Sequence, residues 1–134
     1  MGEFVRVAKA DELAPGQGKL VEVGEKLIAL FNIDGSFHAI DDTCTHMGGP
    51  LSEGELEGTR ITCPWHGYQY LPHNGQSPPP FKEKVATYDV KLIGTEVWLN
   101  PLPYPEGTER PGAVIERDNV KLKIENVKRE KPLL

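Results

Sequence analysis

Between residues 14 and 100, glycine and proline interrupt the chain so often that no apolar run has room to become a helix of three turns. Fourteen glycines and twelve prolines lie scattered among short apolar stretches, not gathered in one low-complexity tract. Chains broken up in this way fold as short strands joined by tight turns. Phe4 to Val7, Lys19 to Val23 and Lys26 to Ile33 read as strands, with a helical turn at Ala10-Asp11-Glu12-Leu13 ended by Pro15-Gly16. Asp34-Gly35, set between Leu27-Ile28-Ala29-Leu30-Phe31 and Phe37-His38-Ala39-Ile40, is a strong two-residue hairpin signal. Gly58-Thr59 separates Glu55-Leu56-Glu57 from Arg60-Ile61-Thr62 in the same manner. Tyr68 to Leu71 reads as an aromatic strand, and Val85 to Ile93 with Glu96 to Asn100 as a last hairpin turning at Gly94-Thr95. The expected fold class is all-β, an antiparallel sandwich or small barrel.

The length of 134 residues suits one domain. No stretch approaches the run of about 20 apolar residues that spans a bilayer, and Met1 to Arg6 lacks the apolar core of a signal peptide. Neither a membrane partner nor a secreted life is expected, and the chain reads as cytoplasmic. A net charge of −5 argues against a nucleic-acid partner, which requires a basic stripe. The acidity belongs to the body, −7 through residue 112, whereas residues 113–134 carry +2. Pro101, Pro103, Pro105 and Pro111 mark an extended connection resembling a semi-rigid linker. Beyond it, Val120, Leu122 and Ile124 alternate with Lys121, Lys123 and Glu125 as in one more strand. No internal repeat is evident. The expected division is a main domain over 1–101 and a proline-rich linker with a C-terminal extension over 102–134, packed on the same domain.

Both cysteines and half the histidines fall in two short segments, Cys44-Thr45-His46 and Cys63-Pro64-Trp65-His66, with 16 residues between His46 and Cys63. Gly48 and Gly49 follow the first pair, and Pro64 and Gly67 bracket His66 with its cysteine. Glycine lets backbone amides approach a thiolate without a clashing Cβ. Two thiolates and two imidazoles suit a tetrahedral zinc ion or the two irons of a [2Fe-2S] centre equally well, so the ligand count leaves both open.

The wider pattern, Cys-x-His, a 16-residue interval and Cys-Pro-Trp-His-Gly, followed by an aromatic strand, Gly75 and a proline segment, resembles the Rieske family from about Val5 to Pro101. The resemblance implies one [2Fe-2S] cluster per chain, with Cys44 and Cys63 on the inner iron and His46 and His66 on the outer. It implies a small cluster-binding subdomain on a larger β sandwich, with loops over about 43–50 and 63–67 and a covering proline loop over about 76–81. Gly48, Trp65, Gly67, Tyr70 and Pro79 would then surround the cluster, Tyr70 either as a donor to a cysteine sulfur or as a packed aromatic, and Trp65 as a shield or a docking contact. High-potential members carry a second pair of cysteines where this chain has Gly49 and Trp65, and a serine where it has Tyr68. Fewer hydrogen bonds to the cluster place its potential near the low end of the range, roughly −150 mV. The branch resembled is the ferredoxin component of Rieske oxygenase systems.

That resemblance implies an electron carrier and not an enzyme. Its donor would be a flavin- or NAD(P)H-dependent reductase and its acceptor a terminal oxygenase. The small subunit of an assimilatory nitrite reductase and a structural zinc module that only mediates binding are the alternatives. His38 and His73 read as ordinary structural histidines. Glu53, Glu55 and Glu57 read as a solvated face, with steering of a basic partner as the alternative; Asp41 and Asp42 carry the same two readings.

Overall fold

The computed structural model describes residues 3–45, 48–65 and 67–114. Three antiparallel sheets account for its regular structure. One joins β1 (Val5–Lys9), β9 (Val90–Ile93) and β10 (Glu96–Leu99) in the order β1-β10-β9. The second runs β11-β4-β3-β2, from β2 (Gly18–Val23), β3 (Lys26–Ile33), β4 (Ser36–Asp41) and β11 (Ala113–Val114), with β8 (Thr87–Tyr88) also on β4. The third is small: β5 (Glu55–Glu57), β6 (Arg60–Thr62) and β7 (Gln69–Tyr70). Helix is confined, among the described residues, to single 3-10 turns at Ala10–Glu12 and Leu51–Glu53. None of it is long and apolar enough to cross a membrane.

Strand β3 ties the molecule together. Side chains alternate across a strand, and this one is apolar along both faces. Ile28 and Leu30 enter a core with Phe37, Ala39, Tyr88, Val97 and Leu99, between the two larger sheets. Ala29 and Phe31 face the opposite way, into a second core with Ile40, Cys44, Leu51, Ile61, Cys63, Tyr70 and Val85. The sandwich and the small sheet are thus anchored to the two sides of one buried strand. Ile61 and Tyr70, cross-strand partners on β6 and β7, close the second core from the far side.

The Asp34-Gly35 turn closes the β3–β4 hairpin with Ile33 opposite Ser36, and Asp34 sits at φ 53° as a type I′ turn requires. The run expected as one strand from Val85 to Ile93 is two. Thr87 and Tyr88 pair with β4, and Val90 to Ile93 pair with β10 in the other sheet. The crossing is at Asp89, whose carboxylate accepts hydrogen bonds from Tyr104 and Arg110. The expected strand over Val120–Glu125 lies outside the described residues.

Tyr88 is buried, and its hydroxyl donates to Asp41 Oδ1 at 2.6 Å. Burial first, and that bond second, raise the phenol well above its ordinary range. In the unfolded chain Tyr88 ionises near pH 10, whereas in the fold it keeps its proton. Above that pH the unfolded state binds fewer protons than the native state, so stability falls as pH rises. Chemical denaturation between pH 8 and 11 is expected to show this loss beginning near pH 10, and Tyr88→Phe is expected to flatten it.

Candidate metal centre

Cys44 and Cys63 head two turns with the same backbone device. The Cys44 N–H donates to the Gly49 carbonyl at 2.9 Å, and the Gly48 N–H donates back to the Cys44 carbonyl at 3.0 Å. In the second turn the Cys63 N–H donates to the Tyr68 carbonyl at 2.7 Å, and the Gly67 N–H to the Cys63 carbonyl at 3.1 Å. Each loop closes on the residue four beyond its cysteine, where the chain takes a left-handed conformation, φ 78° at Gly48 and 79° at Gly67. Glycine adopts that region at little cost, which explains its place in both loops. The equal spacing from cysteine to glycine shows this repeat in the sequence, although the histidine stands two residues after Cys44 but three after Cys63.

The two turns bring both sulfurs into the second core, Cys44 at 2% and Cys63 at 3% exposure, with no disulfide between them. Gly49 lies directly against the second turn: a Cβ there would stand 2.6 Å from Cys63 Sγ and 3.1 Å from Trp65 Cγ. Any side chain at 49 would displace the sulfur or the indole. The positions that hold the extra cysteine pair in high-potential Rieske proteins are therefore neighbours here, filled by a bare backbone and an indole ring.

Tyr70 is fully buried, and its hydroxyl lies 3.5 Å from Cys44 Sγ, 2.7 Å from Thr45 Oγ1 and 3.3 Å from the Thr45 amide nitrogen. The Thr45 N–H donates to the phenol oxygen. The phenol thus sits between the Thr45 hydroxyl and the Cys44 sulfur, within hydrogen-bonding reach of both. Burial is the main cause, and the Cys44 contact the next, that pushes the Tyr70 hydroxyl up to about 12, so it remains a donor at neutral pH. Sequence reasoning missed Thr45 because its partner is 25 residues away.

Trp65 is 56% exposed beside the second turn. Pro79 is exposed in a loop whose base is closed by the Ser77 N–H donating to the Glu83 carbonyl at 2.9 Å. The same loop carries Phe81, whose ring centroid lies 6.4 Å from that of Tyr68 in the second turn. His46 and His66 lie outside the described residues. Within those residues no three His, Cys, Asp or Glu side chains form a metal-holding group, and the two sulfurs are the part of the expected donor set that falls there. Glu53, Glu55 and Glu57 are exposed. Asp41 and Asp42 are structural instead: Asp41 accepts from Tyr88, and buried Asp42 accepts the Ser52 N–H at 2.7 Å.

Two buried sulfurs, each on a hydrogen-bonded turn and one beside a buried phenol, suit thiolate ligands of a metal centre in a small all-β domain, zinc or iron-sulfur alike. Comparison with known proteins decides between the two. The Rieske [2Fe-2S] domain profile matches residues 3–89. The chain is 35% identical over 100 residues to the biphenyl dioxygenase ferredoxin subunit of Pseudomonas sp. (strain KKS102), covering 72% of this chain and 91% of that protein. Among solved structures, the ferredoxin of carbazole 1,9a-dioxygenase from Nocardioides aromaticivorans IC177 superposes with a TM-score of 0.69 at 30% identity, over 73% of this chain and 97% of that one. A chain from the complex of reduced oxygenase and oxidized ferredoxin in carbazole 1,9a-dioxygenase gives 0.67 at 29% identity, over 80% and 95%.

The chain belongs to the Rieske [2Fe-2S] family. Its cofactor is a Rieske-type [2Fe-2S] cluster, and its role is that of an electron carrier and not of a catalytic subunit.

A hydrogen bond to a sulfur favours the reduced, more negative cluster and raises its potential. Tyr70→Phe is therefore expected to lower the midpoint potential by roughly 40 mV, the one-electron equivalent of a bond worth about 1 kcal/mol. Thr45→Ala should lower it by less, and Thr45→Ser should restore it. Protein-film voltammetry reads all three.

Proposed function

We propose that Cys44 and Cys63 bind one iron and His46 and His66 the other, and that the chain passes single electrons from a flavin- or NAD(P)H-dependent reductase to a terminal oxygenase in the cytoplasm. The observation that carries this reading is the pair of matched turns, which bring both cysteines into one core. When bound, the cluster supplies a one-electron couple. The chain's own residues bury the sulfurs, place the Tyr70 hydroxyl beside Cys44, and exclude water from that side with Phe31, Leu51 and Ile61.

The similar proteins support the assignment of partners. They are named as ferredoxin components of dioxygenases, one solved in a complex with its oxygenase, and this chain covers nearly their full length. That coverage favours a separate carrier over the small subunit of a nitrite reductase. The exposed indole of Trp65 beside the Cys63 turn is suited to a transient docking contact, since tryptophan contributes disproportionately to interfaces.

The test is a reconstituted electron-transfer assay. With NADH, a ferredoxin reductase and an aromatic-ring dioxygenase, the added protein is expected to support oxidation of the oxygenase's substrate. Trp65→Ala should slow transfer by about tenfold with an unchanged visible spectrum. His66→Cys should retain iron while altering the spectrum and lowering the potential. No transfer to any such oxygenase would refute the partner assignment, and an unaltered His66→Cys spectrum would remove His66 from the ligand set.

A further inference from the structure

The family profile ends at residue 89, and the proline-rich stretch after Leu99 has the composition of a linker, yet it is bound down along its length. The Tyr104 N–H donates to the Thr87 carbonyl at 2.8 Å, the Gly107 N–H to the Val85 carbonyl at 3.1 Å, and the Arg110 N–H to the His73 carbonyl at 2.9 Å. Side chains add to the backbone bonds. Gln76 Nε2 donates to the Gly107 carbonyl, and Thr87 Oγ1 to the Thr108 carbonyl, each at 2.8 Å.

One carboxylate closes the arrangement. Asp89 Oδ2 accepts the Tyr104 hydroxyl at 2.6 Å, and Oδ1 accepts Arg110 Nε at 2.7 Å. The Arg110 guanidinium also lies 4.2 Å over the Tyr104 ring. At 30% and 24% side-chain exposure, Arg110 and Asp89 are less open to solvent screening than Arg6–Glu96 at 44% and 40%, so this pair holds better than a typical surface pair.

These bonds hold the base of the proline loop. His73 and Gln76 lie on its entry, and Val85 and Thr87 on its exit. The Val85 N–H donates to the Gly75 carbonyl at 2.8 Å while the Val85 carbonyl receives Gly107, so the exit strand is held between the entry turn and residues 104–110. The loop between carries Phe81, whose ring centroid lies 6.4 Å from that of Tyr68 in the Cys63 turn.

We propose that residues 101–110 are a strap that fixes the proline loop over the cluster, with Asp89 as its clasp and Tyr104 and Arg110 as positioning residues. This rests on the reading of that loop as the cluster's cover. It gives the carrier a protective element outside the part of the chain that the family profile matches.

The test uses the cluster-loaded protein, with hydrogen exchange of residues 71–87 and the rate of absorbance loss in excess EDTA as separate readouts. Arg110→Ala removes a hydrogen bond to a charged group, and about tenfold faster exchange at Ser77 and Val85 is expected, with cluster loss faster by a similar factor. Tyr104→Phe, which deletes only the hydroxyl, should give a smaller change of the same kind, and Arg110→Lys should restore part of the protection. Val21→Ala, a core truncation in β2, serves as the control for general destabilisation and should leave the loop's exchange pattern unchanged. Unaltered loop exchange in Arg110→Ala and Tyr104→Phe would overturn the strap. Faster exchange with an unaltered rate of cluster loss would show that the strap holds the loop but that the loop does not protect the cluster, which overturns the protective role. A protein without iron-sulfur absorbance would instead contradict the cluster assignment, and the exchange measurement would still judge the strap.

Discussion

A cysteine that is to serve as a thiolate in an apolar interior needs positive charge or hydrogen-bond donors facing it, and this fold places two cysteines, Cys44 and Cys63, in one core. In the proposed ligand set iron supplies the charge. The protein supplies the rest: two turns of matched hydrogen bonding, a glycine without a side chain against Cys63, and a buried phenol beside Cys44. The surrounding structure serves that arrangement. Strand β3 must be apolar on both faces because the cores of the sandwich and of the small sheet both rest on it.

Much of this is legible in the sequence because it is local. The Asp34-Gly35 hairpin and the Glu55–Thr62 hairpin follow from turn chemistry between alternating strands, and both form with the expected pairings. The sulfur turns announce themselves through cysteine and glycine spacing. The missed features depend on distant partners. The division of Val85–Ile93 at Asp89 is set by Tyr104 and Arg110, 15 and 21 residues further on. Thr45 acquires its role only when β7 brings Tyr70 beside it. The hydrogen-bond partners of the stretch after Leu99, among them His73, Val85 and Thr87, lie too far back in the chain to be read from its composition.

The contact between Gly49 and Trp65 also bears on redox character. A covalent link between the loops would constrain them and enclose the cluster further; here an exposed indole and a close backbone approach take its place. Where fewer donors face the sulfurs the reduced state is stabilised less and the potential falls toward the lower end of what Rieske ligation permits, the poise expected of the proposed carrier between a reductase and an oxygenase.

The central claim, one Rieske-type cluster on Cys44, His46, Cys63 and His66, is tested most directly by low-temperature electron paramagnetic resonance of the dithionite-reduced protein. Two cysteines and two histidines on a [2Fe-2S] cluster are expected to give a rhombic signal whose average g lies clearly below that of all-cysteine clusters. A silent, colourless sample with stoichiometric zinc would contradict the claim and make the same two turns part of a structural metal module.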